Sequence, residues 1–173
     1  MNALRVTTQV RPTLAQLPEL AARGNLTALV HEMPGDLETP VSALLKLRGE
    51  TPTFLLESVE QGERAGRYSF VGANPRAVAT IRGERALVLA EGRADLHDLR
   101  GKEPLALIQG WLDGIKPAFA SPMPPFVGGA VGYVGYDMVR YFEPRLQRTA
   151  RPGTGFDLPE AVFMLCDTFI AFD

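Results

Sequence analysis

Apolar residues recur every three to four positions in three segments of the chain, and this spacing predicts helices at 13–23, 39–49 and 104–115. Pro18 lies inside the first segment, where we expect it to interrupt the helix. Thr39 can accept a hydrogen bond as N-cap of the second helix, and Pro40 sacrifices no hydrogen bond at the first helical position. The second and third helices are therefore the two main ones.

Short apolar runs bounded by Gly, Pro and polar residues predict strands elsewhere. They are 26–32, 53–60, 68–72, 77–81, 86–90, 126–133 and 161–173, and the last run is a strand or a strand pair. A short loop containing Gly83 joins two of them as a hairpin, and Gly92 indicates a further turn. The predicted fold class is α+β, with mainly antiparallel strands in two packed sheets.

The composition is that of one ordinary globular domain. The chain has 173 residues, 46% of them hydrophobic, with a formal net charge of −2, which argues against a nucleic-acid binder or a polybasic membrane-surface protein. Cys166 is the single cysteine, so an internal disulfide is excluded. The two histidines, His31 and His97, lie far apart without a nearby cysteine, and we expect no metal site.

The two ends of the chain give further expectations. The N-terminus lacks a basic segment followed by an apolar run, so we expect no secretory signal and a cytoplasmic protein. Ten of the twelve residues 161–172 are apolar. Because domain ends usually consist of polar residues, we expect the natural protein to continue past Asp173. A buried central strand that ends the domain is the alternative.

Two sequence features that suggest chemistry have simpler structural explanations. The glycine-rich run 128–135 lacks the Lys-Ser or Lys-Thr of a P-loop, and glycine here favours close packing of a strand against another backbone. Cys166 lies among apolar residues, which indicates a buried, unreactive thiol.

Glu57 is the residue whose position points most directly to binding. Strand alternation places it on one face with Leu55 and Val59, a face that we expect to be buried. A buried carboxylate needs a cationic partner, and Arg64 or Arg67 could supply one. Glu57 thus either binds a cationic group, such as a ligand ammonium, or lies solvated at the rim of a sheet.

Four segments of the sequence resemble one known family. They are DLETPVSA at 36–43, LLESVEQGERAGRYSFVG at 55–72, GGAVGYVGYDMVRYFE at 128–143 and DTFIAFD at 167–173. In this order they resemble the N-terminal domain of component I of anthranilate synthase, a chorismate-utilising enzyme. The resemblance covers residues 25–173 and leaves 1–24 as an N-terminal helical lead-in.

The resemblance implies a lyase reaction for the complete protein. Members of the family convert chorismate and glutamine-derived ammonia into anthranilate and pyruvate, with Mg²⁺, in tryptophan biosynthesis. The chorismate and Mg²⁺ sites belong to a C-terminal domain that is absent here, so this chain alone is expected to be inactive, with no catalytic residue and no metal ligand. Its partners would be the glutamine amidotransferase component II and the feedback inhibitor L-tryptophan.

The resemblance also implies an inhibitor site. In the family, the motif that corresponds to Leu55, Leu56, Glu57 and Ser58 contacts tryptophan, and a downstream basic residue corresponds to Arg67. The inhibitor-binding residues are therefore expected to be Leu56, Glu57, Ser58 and Arg67. Glu57 suits an ammonium, Ser58 supplies a hydroxyl, and Arg67 suits a carboxylate or the indole ring. Glu57 and Ser58 point to opposite faces of a regular strand, so both contact one ligand only at a bulge or strand end.

Three alternatives remain open from the sequence. The first is the related component I of aminodeoxychorismate synthase in the folate pathway, although the unbroken LLES followed by GRYSF favours anthranilate synthase. The second is a stand-alone amino-acid-binding regulatory module. The third is a purely structural interaction domain, in which Glu57 is only a charge at a rim.

Overall fold

The computed structural model describes residues 10–57, 67–143, 145–146 and 157–173. Four α-helices lie in these residues: α1 (Leu17–Arg23, preceded by a 3-10 turn at Leu14–Gln16), α2 (Pro40–Leu47), α3 (Ala106–Leu112) and α4 (Val139–Phe142). Eight strands accompany them: β1 (Thr53–Glu57), β2 (Ser69–Ala73), β3 (Ala77–Arg82), β4 (Arg85–Ala90), β5 (Arg93–Asp98), β6 (Gly129–Val134), β7 (Ala161–Cys166) and β8 (Phe169–Phe172).

The strands form two antiparallel sheets, which confirms the predicted α+β class. The small sheet has the order β1-β2-β8, and the large sheet has the order β5-β4-β3-β7-β6. Strands β7 and β8 follow each other in sequence but lie in different sheets, connected by Asp167 and Thr168. The apolar run 161–173 is therefore a strand pair that links the two sheets.

The sheets pack against each other through an aromatic cluster. Phe54 and Phe70 of the small sheet are buried against Met164 and Cys166 of the large sheet. Phe126 lies among them, with its ring centroid 4.9 Å from that of Phe169 and 5.3 Å from that of Phe70. These tilted and edge-on contacts are the preferred geometry of aromatic pairs.

The helices cover the outer faces of the sheets. Helix α2 packs on β1 and β2, where Val71, on the face opposite Phe70, is fully buried. Helix α3 buries Ile108 against Ala79 and Val88 of the large sheet. We infer that α2 fixes the orientation of the β1–β2 hairpin from outside, while the aromatic cluster holds it from inside.

The start of α2 has the predicted cap. The Ser42 N–H donates to Thr39 Oγ1 at 3.1 Å, and the Thr39 N–H donates to Ser42 Oγ at 2.9 Å. Pro40 occupies the first turn, where its missing N–H costs nothing. Pro18 behaves similarly, because it lies in the first turn of α1, which begins at Leu17, and does not interrupt that helix.

The glycine-rich segment brings two backbones together, as predicted. A Cβ on Gly132 of β6 would lie 1.9 Å from the Val162 carbonyl oxygen of β7, and one on Gly128 would lie 2.9 Å from the Cys166 carbonyl oxygen. Gly128 also has a φ of 104°, which side-chain-bearing residues rarely adopt. These glycines therefore allow the backbone of this segment to pack closely against that of β7.

The strand predicted at 26–32 is wrong. Among the described residues, the segment forms two isolated bridges, a parallel one between Leu26 and Pro117 and an antiparallel one between Val30 and Arg11. Within the described residues neither bridge extends into a ladder, so the alternating pattern of this segment lacks the neighbouring strand that would complete it.

The sequence predicts the turn at Gly92 but not strand β5, which follows that turn. Glu91 and Gly92 have φ values of 51° and 75°, as in a tight two-residue hairpin. Strand β6 begins at Gly129 and α3 spans Ala106–Leu112, so both start later than predicted, whereas β3 and β4 are each one residue longer than predicted. Among the described helices, none has the length and apolar character needed to cross a membrane.

Candidate ligand-binding site at the end of strand β1

Three of the four segments that carry the family resemblance meet in one layer. Segment 36–43 contains the start of α2, segment 55–72 supplies most of β1 and β2, and segment 167–173 supplies β8. The layer is thus the small sheet with its covering helix. The fourth segment, 128–143, forms β6 and the helical turns after it, at an edge of the large sheet.

Glu57 is the last residue of β1, and its carboxylate is exposed. Its Cα pairs with Ser69 of β2, which in turn pairs with Phe172 of β8. The expectation that Glu57 lies on a buried face is therefore wrong in this chain. Burial decreases along β1, because Phe54 packs inside the aromatic cluster while Leu56 and Glu57 extend past it towards solvent.

Arg67 lies two residues before β2 and pairs with Asp173, directly after β8. Its Nε and Nη2 donate to Asp173 Oδ1 and Oδ2 at 2.5 and 2.7 Å. The guanidinium lowers the pKa of Asp173, and the carboxylate raises that of Arg67, chiefly through these hydrogen bonds. Both side chains are exposed, so the pair is open to exchange with a ligand or with water.

Tyr68 connects this ion pair to the aromatic cluster. The Arg67 guanidinium carbon lies 5.1 Å from the centroid of the Tyr68 ring, a cation–π distance. The Tyr68 ring stacks on Phe70, with centroids 6.0 Å apart and an interplanar angle of 26°. The end of the small sheet thus offers a carboxylate, a guanidinium and an aromatic surface.

The structure brings some of the predicted site residues together. Leu56 and Glu57 end β1, and Arg67 approaches β2 from the same end of the hairpin. Ser58 and Arg64 lie outside the described residues. Sequence reasoning missed Asp173 as the partner of Arg67, since the two are 106 positions apart and only the β2–β8 register brings them together.

Neither Cys166 nor the other potential ligand residues form a metal site in the described part of the chain. No group of three or more His, Cys, Asp or Glu side chains there could hold a metal ion. Cys166 is buried, as predicted, and burial, followed by the charge of Asp167, raises the pKa of its thiol to about 11. A thiol of that pKa is a poor nucleophile near neutral pH.

Comparison with known proteins identifies relatives across nearly the whole chain, although no protein-family model matches it. Anthranilate synthase component 1 of Synechocystis sp. is 39% identical over 95% of this chain, and that of Pseudomonas putida is 39% identical over 89%. A probable anthranilate synthase component 1 of Schizosaccharomyces pombe is 38% identical over 95%. The matches cover 32%, 31% and 30% of the respective relatives, so the chain spans about a third of their length. Over nearly its whole length, the chain is therefore a homologue of one part of anthranilate synthase component 1.

Proposed function

We propose that this chain is the N-terminal regulatory part of an anthranilate synthase component 1 in the cytoplasm. The complete protein would convert chorismate and ammonia into anthranilate and pyruvate, as a step of tryptophan biosynthesis. A glutamine amidotransferase component II would supply the ammonia. The observation that carries this proposal is the 39% identity to component 1 over 95% of the chain. The names of the relatives favour this reaction over that of the folate-pathway alternative.

The end of the small sheet is the proposed binding site for L-tryptophan. The free amino acid carries an ammonium, a carboxylate and an indole ring. Glu57 would accept hydrogen bonds from the ammonium, and Arg67 would donate two to the carboxylate, the strong bidentate arrangement. Leu56 and Ser58 would complete the contacts. The exposure of Glu57 and Arg67 supports this proposal, because a ligand can reach both groups.

Catalysis would lie outside this chain. The described residues contain no cluster of acidic side chains that fits the Mg²⁺ of the family, so we assign no Mg²⁺ ligand and no chemical step to them. Tryptophan bound here would inhibit by favouring an arrangement of the complete protein that is poor for catalysis. It can do so only as far as it binds that arrangement more tightly than the active one.

The exposed position of Glu57 also agrees with the structural alternative, in which it is only a rim charge. Glu57→Gln in the complete gene product that contains these residues separates the two. As an inhibitor-binding residue, its loss should weaken inhibition by L-tryptophan at least tenfold and leave anthranilate formation without inhibitor near the wild-type rate. Glu50→Gln, a change at an exposed carboxylate before β1, is the matched control.

Three results would distinguish the remaining functions. Inhibition that is equal in wild type and Glu57→Gln would assign Glu57 to the rim-charge role. Tryptophan binding without anthranilate formation would favour the amino-acid-binding module. Formation of aminodeoxychorismate instead of anthranilate would identify the folate-pathway enzyme.

A further inference from the structure

Strand β5 forms one edge of the large sheet. It stands first in the strand order, and in the described part of the chain it pairs only with β4. All of its residues except His97 are exposed. An edge strand of this kind presents unpaired backbone N–H and C=O groups to any strand that can lie beside it.

The turn before β5 determines which of its backbone groups point outward. A two-residue turn at 91–92 closes the hairpin, so the flanking pair Ala90–Arg93 is a hydrogen-bonded pair. Bonded and non-bonded pairs then alternate along the ladder. The Leu99 N–H donates to the Glu84 carbonyl oxygen at 2.8 Å, which agrees with this alternation.

The even-numbered residues of β5 therefore direct their N–H and C=O groups away from β4. These residues are Ala94, Leu96 and Asp98. A second copy of β5 presents the same three residues when it runs antiparallel to the first. Two copies can thus bond edge to edge around a twofold axis, the commonest symmetry of protein dimers.

The side chains of β5 are complementary to one another in the register that places Leu96 on this axis. Leu96 then lies opposite Leu96 of the second copy, and Asp95 lies opposite His97 of the second copy. An imidazole N–H of His97 can donate to the Asp95 carboxylate, and this pair forms twice. Ala94 lies opposite Asp98 of the second copy and leaves room for the longer side chain.

The other symmetric registers are less favourable. An axis at Asp95 places two carboxylates opposite each other, and an axis at Asp98 does the same. An axis at Ala94 pairs Arg93 with Asp95, but it sets Leu96 opposite Gly92 in the turn, so fewer backbone bonds form. The register centred on Leu96 also removes from water a side chain that is 65% exposed.

We propose that two copies of this chain dimerise through β5, with Leu96 on the twofold axis. The two large sheets then form one continuous antiparallel sheet. A second copy is the partner that fits, because the acidic position of each β5 meets the imidazole position of the other. The interface lies outside the proposed inhibitor site and requires no particular reaction of the complete protein.

Disulfide cross-linking in the complete gene product tests the register. Leu96→Cys would place two thiols opposite each other on Cα atoms about 5.5 Å apart, within the range of a disulfide. Ala94→Cys on the same exposed strand is the matched control, because its two copies would lie more than about 13 Å apart. Cys166 contributes little background, since it is buried with a raised pKa.

With oxidised glutathione, Leu96→Cys should form at least tenfold more covalent dimer than Ala94→Cys or wild type. Equal cross-linking of the two variants would overturn the proposal. More dimer with Ala94→Cys would overturn it too, because the axis would then lie at Ala94. Sedimentation of the wild-type complete gene product as a monomer at every concentration would contradict the interface altogether.

An exchange of charges tests the pairing of Asp95 with His97. Asp95→Lys should raise the dissociation constant of the dimer at least tenfold in sedimentation equilibrium, because it places a cation opposite His97. The double variant Asp95→Lys/His97→Asp exchanges the two positions and should restore the constant to within threefold of wild type. Glu50→Lys makes the same charge change before β1 and is the control.

A double variant that dimerises no better than Asp95→Lys would contradict the pairing. None of these measurements uses anthranilate formation. A dimer with these properties that makes no anthranilate would support the interface and contradict the proposed function. A monomer that makes anthranilate would contradict the interface and support the proposed function.

Discussion

The guanidinium of Arg67 holds both carboxylate oxygens of Asp173, and this pair ties the approach to β2 to the residue after β8. Asp173 therefore occupies the Nε–Nη2 edge of the guanidinium, one of the two edges that can bind a carboxylate through two donors. A ligand carboxylate that binds this same edge must displace Asp173. The ion pair is thus a competitor built into the proposed site.

Asp173→Asn should strengthen tryptophan inhibition. Removing the competing charge frees the Arg67 donors, so the inhibition constant in the complete gene product should decrease severalfold. Asp167→Asn, at an exposed carboxylate in the β7–β8 connection, is the control and should change nothing. An inhibition constant that increases or stays the same in Asp173→Asn would show that the ligand carboxylate does not bind the Nε–Nη2 edge of Arg67.

Gly132→Ala should destabilise the large sheet. The added Cβ would lie 1.9 Å from the Val162 carbonyl oxygen, so β6 and β7 must separate. We expect the free energy of unfolding to decrease by about 2–4 kcal/mol, at the upper end of overpacking effects. Chemical denaturation followed by circular dichroism measures it.

Gly110→Ala is the matched control for this change. Gly110 lies in α3, and a Cβ there would meet nothing within 4 Å. Alanine should leave the stability unchanged or raise it by up to about 1 kcal/mol, because glycine is the poorer helix former. Equal losses in the two variants would contradict the role of Gly132 in the close approach of β6 to β7.

Thr39→Ala should destabilise the chain through α2. The substitution leaves the Ser42 N–H without its acceptor at the helix start, at a cost of about 0.5–2 kcal/mol. Thr39→Ser keeps a hydroxyl at the same place and should retain most of the stability in thermal denaturation. Because α2 packs on β1 and β2, we also expect faster amide exchange in the β1–β2 hairpin of Thr39→Ala.

Cys166 should make stability depend on pH in alkaline solution. The folded chain retains the thiol proton up to a pKa of about 11, whereas the ordinary pKa of a free thiol is 9.0. Between these values the folded state binds more protons than the unfolded state, so stability falls as pH rises. Denaturation midpoints between pH 8 and 11 should fall more steeply for wild type than for Cys166→Ala. If the midpoints of wild type and Cys166→Ala fell equally steeply with pH, the thiol would be in contact with solvent in the folded chain.

The sequence predicts the parts of this fold that local chemistry determines. The cap at Thr39 and the glycine-dependent approach of β6 to β7 follow from residue types whose conformational roles are narrow. The polar strand β5 is not predictable from local sequence. Its residues are almost all exposed, and it forms a strand because it pairs with β4. The segment 26–32 shows the reverse, because its pattern resembles that of a strand but it forms only two isolated bridges with the described residues.

The candidate site shows the same division between local pattern and tertiary pairing. The motif around Glu57 is recognisable from the sequence, and the structure places Glu57 and Arg67 at the same end of the β1–β2 hairpin. The solvent exposure of Glu57 is not predictable from alternation, because it depends on where the aromatic cluster ends along β1. The Arg67–Asp173 pair depends on how β8 aligns with β2.

Anthranilate formation by the complete gene product is the most direct measurement of the central claim. The protein is supplied with chorismate, Mg²⁺ and ammonia, and anthranilate is followed by its fluorescence with and without L-tryptophan. We predict anthranilate formation that L-tryptophan suppresses. A folded protein that makes no anthranilate would contradict the assignment to tryptophan biosynthesis, and synthesis unaffected by L-tryptophan would contradict the regulatory role of this chain.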